Sequence, residues 1–100
     1  MRNEQTTYRA NTSHKLTITS TGSQRTTAMS ANIPVFSIAT TVDCWYKIGS
    51  STVTATSTGN ASHFVPGGTI LFANKSNADL YVAVIANAVS GMAVVTGETQ

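Results

Sequence analysis

One hundred residues make a single domain, and only 10% of them are charged, against roughly a quarter in an average soluble protein. The net charge is +2, and the basic residues Arg2, Arg9, Lys15, Arg25, Lys47 and Lys75 are scattered singly, which excludes the clustered basic stripe of a nucleic-acid binder. Cys44 is the sole cysteine, which excludes an internally disulfide-stapled scaffold.

Polarity comes instead from hydroxyls, 17 Thr and 11 Ser; Thr suits strands because it is β-branched, and Ser suits turns. Met1–Ser13 is polar and without periodicity, so it reads as a flexible N-terminal arm, or a loosely held first strand, ahead of a domain spanning 14–100. It also lacks the apolar core of a signal peptide. His14–Thr19 alternates, with Leu16 and Ile18 on one face. Gly22 marks a turn, Gln24–Met29 is a weak strand candidate, and Ile33–Ala39 is a better one, with Pro34 near its start, where a missing N–H costs least.

The run Val42–Gly49 has the clearest period of two. Val42, Cys44, Tyr46 and Ile48 point one way, and Asp43, Trp45 and Lys47 the other. Cys44 then reads as a small buried hydrophobe, and the adjacent Trp45 and Tyr46 belong to opposite faces. Thr40-Thr41 between the two strands predicts a hairpin. Ser50–Ala61 reads as a long exposed excursion with a short strand candidate at Thr52–Ala55, a place where small β domains carry binding. His63–Val65 is a short strand, Pro66-Gly67-Gly68 a turn, and Thr69–Ala73 a strand. Phe64 and Phe72 are expected in the core.

Asn74–Ala78 is a polar turn, Asp79–Ala86 the most apolar strand, and Met92–Thr96 the last. The Ala-rich stretch Ala78–Met92 could be written as a helix, but Val82, Val84, Ile85 and Val89 are β-branched and favour strand. The apolar run Leu80–Ala86 is too short to cross a bilayer. Eight or nine short strands with turn signals every 8–12 residues predict an all-β chain, a single antiparallel β-sandwich or jelly roll.

Chemistry is sparse. With two Asp, two Glu and two His in the chain, an acid/base pair is not expected. The spacing of His14, Cys44 and His63 matches no metal-ligand pattern, no Gly-x-Ser-x-Gly elbow occurs, and Gly67-Gly68 lacks the Lys-Ser/Thr of a phosphate loop. No enzymatic activity, metal or cofactor is expected.

A larger pattern runs from Ile33 to Glu98. An apolar strand passes through Thr40-Thr41-Val42-Asp43-Cys44 and an aromatic pair to Ile48-Gly49, followed by the Thr/Ser/Ala-rich Ser50–Asn60. Then come Val65-Pro66-Gly67-Gly68-Thr69, the aromatic-bearing Ile70-Leu71-Phe72, Val82-Ala83-Val84-Ile85, and Ser90-Gly91-Met92-Ala93-Val94-Val95-Thr96 ahead of Glu98. In order and spacing this resembles small β-sandwich virion structural proteins of tailed bacteriophages, of the capsid-decoration or head–tail accessory type; Gly97 before Glu98 departs slightly from the pattern. The resemblance implies a non-enzymatic virion component without a cofactor, most naturally a decoration or cement protein that bridges capsid subunits. Its partners would be the major capsid protein or other virion proteins and further copies of itself, as a trimer or larger ring, with neither nucleic acid nor membrane. The alternatives are a neck, tail or fibre-attachment protein, and a carbohydrate-binding module that uses Trp45 or Tyr46. Arg2, Tyr8 and Arg9 on the arm, Trp45, and Thr54, Thr56 and Thr58 on the long loop are the candidate partner contacts.

Overall fold

Period-two runs of β-branched and aromatic residues become strands wherever one face finds cover in a core. The computed structural model describes residues 9–29, 34–58, 62–75 and 80–99, and they hold eight strands and no helix. The strands are β1 (Arg9–Ile18), β2 (Gln24–Arg25), β3 (Val35–Thr40), β4 (Cys44–Gly49), β5 (His63–Val65), β6 (Ile70–Asn74), β7 (Tyr81–Ala86) and β8 (Gly91–Thr99). They form two four-stranded antiparallel sheets, ordered β1-β8-β3-β6 and β2-β7-β4-β5. The chain is therefore all-β, two sheets packed as a sandwich, as its alternation predicts.

The core lies between the sheets. Leu16 and Ile18 of β1, Phe36 and Ile38 of β3, Cys44, Tyr46 and Ile48 of β4, Val82, Val84 and Ala86 of β7, and Ala93 and Val95 of β8 meet there. Phe36 is fully buried and takes the edge of the Tyr46 ring at 5.9 Å, interplanar angle 79°, the edge-to-face geometry that the ring quadrupoles favour. The burial of Cys44 and the strand at Tyr81–Ala86 agree with the sequence reading.

Strand pairing follows a single rule. β1 pairs with β8, β2 with β7, β3 with β6 and β4 with β5, so the chain behaves as one long antiparallel ribbon folded at the β4–β5 loop. Apart from β4 and β5, consecutive strands lie in opposite sheets.

The expected hairpin across Thr40-Thr41 is therefore a corner instead. β3 pairs with β6 and β8, while β4 pairs with β5 and β7. The physical reason lies in the turn residues: two-residue hairpins need φ > 0, two threonines resist it, and no non-glycine described residue adopts it. Thr40 Oγ1 instead donates to the Val42 carbonyl at 2.7 Å and accepts from the Val42 N–H at 3.3 Å, and Thr41 N–H donates to the Met92 carbonyl at 3.0 Å. These bonds carry the chain over the sandwich end.

Three other boundaries shift. β1 starts at Arg9, so Arg9–Ser13, read as part of the arm, already pair with β8, with an irregularity between Ala10 and Ser13. Only Gln24–Arg25 of the Gln24–Met29 candidate form a ladder strand, although Thr26 N–H and Met29 N–H still bond the Val82 and Leu80 carbonyls. Thr52–Ala55 is not a strand.

Candidate functional site

The two sheets differ on their outward faces. On the β2-β7-β4-β5 sheet, Trp45, Tyr81, Ala83 and Ile85 point away from the core and form a second apolar cluster with Val53 and Ala55. These last two belong to the loop after β4, which the sequence reading placed in solvent. Its hydroxyl content suggested exposure, but Val53 and Ala55 are buried, while Thr54, Thr56 and Thr58 are exposed. The loop is thus a strap laid over the sheet. Ser23 Oγ accepts from Ala55 N–H and Ser62 Oγ from Thr56 N–H, both at 3.0 Å, so backbone donors that lie outside any ladder are satisfied. Gly49 lets the strap close down, since a Cβ there would sit 3.1 Å from Val53.

Trp45 is half-buried under this strap. Phe64 meets its ring edge-on at 5.1 Å, and its Nε1–H donates to Asn87 Oδ1 at 3.0 Å. Tyr46, on the other face, lies between Phe36 and the tilted ring of His63, 5.3 Å away; burial raises its hydroxyl pKa. Both faces of β4 are covered, so neither ring stands out as a stacking platform.

The β1-β8-β3-β6 sheet carries a different outer face. Its register lines up two cross-strand rows, Phe72–Ser37–Thr96–Ser13 and Ile70–Ala39–Val94–Lys15. Leu71 and Ala73 of β6 pack on the core, so Ile70 and Phe72 point outward, 65% and 53% exposed. Ser37 and Thr96, between them and β1, are buried, and Ser13 Oγ meets Thr96 Oγ1 at 3.0 Å. Apolar bulk therefore stands along β6, small side chains fill the middle, and Lys15 is the only charge in the two rows. Phe64 on β5 is also 44% exposed. The placement of Phe64 and Phe72 in the core is thus corrected: alternation shows that Ile70 and Phe72 share a face, but not that Leu71 and Ala73 own the inner one.

The expected contact residues divide. Trp45 and the strap that carries Thr54, Thr56 and Thr58 come together on one sheet. Arg9 pairs with Thr99 at the start of β1, away from the strapped sheet, and Arg2 and Tyr8 lie outside the described residues. Cys44 is sealed in the core; burial raises its thiol pKa, opposed by a hydrogen bond from Thr40 and reinforced by the charge of Asp43. His14 is held by Thr27 Oγ1 at 3.1 Å through Nδ1, while Nε2 is buried without a partner among the described residues, and burial lowers its pKa. The described residues contain no group of three or more His, Cys, Asp or Glu able to hold a metal ion.

Comparison with known proteins adds no family: no family model matches the chain, and neither a curated protein nor a solved structure matches it.

Proposed function

We propose that the chain is a non-enzymatic structural protein of a phage virion, a decoration or cement component that binds across neighbouring capsid subunits. The observation that carries this reading is the β6 side of the outer face, where Ile70 and Phe72 stand exposed beside small uncharged residues. Contiguous exposed apolar surface marks interaction sites, whereas singly scattered apolar side chains do not, and Ile70 and Phe72 are neighbours on one face of β6. With so little charge around them, the matching surface is another apolar, weakly charged protein face, such as a capsid subunit or a second copy of the chain.

The strand order supports the same reading. A ribbon paired one with eight, two with seven, three with six and four with five, then rolled into two sheets, is compatible with a jelly roll, an architecture used by viral capsid domains and lectins. The resemblance of Ile33–Glu98 to small phage virion proteins points the same way. A cement role needs no chemistry: each contact made only in the assembled shell stabilises that shell by mass action.

The test is a double substitution, Ile70→Asp with Phe72→Asp, in protein added to capsid shells assembled without it. The variant is expected to unfold at the same temperature as wild type yet fail to sediment with shells; equal sedimentation would remove this face from the proposal. Stoichiometry then separates decoration, with copies matching the capsid subunits, from a neck or tail ring, with a single small set per particle.

A further inference from the structure

Three corners meet at one end of the sandwich: 41–43 between β3 and β4, 66–69 between β5 and β6, and 87–90 between β7 and β8. They enclose an open cleft of about 380 Å³, with Asp43, Gly67, Asn87 and Val89 in its wall. The volume falls at the low end of small-molecule sites (~300–1,000 Å³). The walls are firmly set. A Cβ on Gly67 would lie 2.8 Å from the Val42 backbone, and one on Gly91 would lie 2.7 Å from Thr41 Oγ1, so the second corner touches the first backbone to backbone, and Gly91 packs against the Thr41 and Val42 side chains.

Two polar side chains stand in this cleft, each held from behind. Asp43 Oδ1 accepts from the Gly67 N–H at 2.7 Å, and Asn87 Oδ1 accepts from the Trp45 indole at 3.0 Å. The Asn87 N–H donates to the Asp43 carbonyl at 2.9 Å, which sets the two residues side by side. Those bonds fix what is left over. The second carboxylate oxygen of Asp43 and the amide nitrogen of Asn87 have no hydrogen-bond partner among the described residues. An acceptor therefore lies beside a two-proton donor.

That pairing selects a chemistry. A cation asks for acceptors alone and an anion for donors alone, so neither is matched. Hydroxyls both donate and accept, and two adjacent ones can give a proton to the carboxylate while receiving one from the amide. Ala88 and the exposed Val89 add an apolar wall for ring C–H groups. We propose that this cleft binds a neutral saccharide through a vicinal diol held between Asp43 and Asn87. Trp45 acts here as the residue that orients Asn87, not as a stacking platform.

The test is a titration of ¹⁵N-labelled protein with the methyl glycosides of glucose, galactose and mannose at millimolar concentration. At least one is expected to move the Gly67 amide and Trp45 indole resonances saturably. Asn87→Ala and Asp43→Asn should each weaken that binding about tenfold or more, and Thr54→Ala on the strap should leave it unchanged. Should Asp43→Asn loosen the corner through the lost Gly67 bond, Asn87→Ala decides, since it leaves that bond intact. The assignment is overturned if no glycoside shifts either resonance, if binding survives both substitutions, or if methylammonium or phosphate binds there instead. Neither Ile70 nor Phe72 takes part, so this experiment and the shell-binding experiment fail independently.

Discussion

Gly67 is present for lack of room, and Gly68 for backbone angle. A side chain at Gly67 would press on the Val42 and Asp43 backbone at 2.8–2.9 Å, whereas Gly68 has open space but φ of 78°. Gly67→Ala is expected to lower stability by about 1–3 kcal/mol, the usual cost of overpacking. Gly22→Ala, with nothing within 4 Å of the added Cβ, should stay within about 0.5 kcal/mol of wild type; denaturant midpoints measure both, and equal midpoints would contradict the close approach. His14 gives a pH signature. Burial lowers its pKa, so the folded state prefers the neutral ring. Its contribution is intact above the ordinary histidine value of about 6.5, and declines as pH falls from there through the lower folded value. Melting temperature should drop over that acidic window, and His14→Gln should flatten the drop. Cys44, fully buried and with its thiol pKa raised, should resist alkylation in native protein and react on unfolding. Much of this scale was legible, since alternation alone placed Cys44 and Tyr46 inward; the Gly67 approach was not, because it involves residues 24 positions away in sequence.

At the scale of elements, the strap is the part that composition misrepresents. Its threonines announce a solvated loop, and all four of them are solvated, but the intervening Val53 and Ala55 close over Ala83 and Ile85. The signal was there as apolar residues at alternate positions, too few to separate a strap from a strand. Val53→Asp places a charge in that cluster and is expected to destabilise by about 1–3 kcal/mol. It should also shift Trp45 fluorescence toward the red; an unchanged spectrum would mean that the strap does not shield the indole. The Thr40-Thr41 corner shows the matching limit for strands. Alternation tells which face a residue takes, while the neighbour a strand pairs with is decided by how the whole ribbon rolls.

For the whole molecule, turn spacing and alternation were sufficient to indicate a two-sheet antiparallel sandwich, because those features are local. Strand order was not legible, since the pairings join distant parts of the chain: Ile18 lies opposite Gly91, and Arg9 opposite Thr99. Such topology predicts folding in milliseconds to seconds; a stopped-flow phase in microseconds would contradict it. Removing residues 91–100 takes away β8, which lies between β1 and β3, and that shortened chain is expected to give a disordered circular dichroism spectrum. The adjacency of β1 and β8 also bears on synthesis. A nascent polypeptide leaving the ribosome holds β1 in waiting until β8 has been translated, so the sandwich closes only after that point, and until then the apolar segments in between depend on chaperones or on speed to escape aggregation.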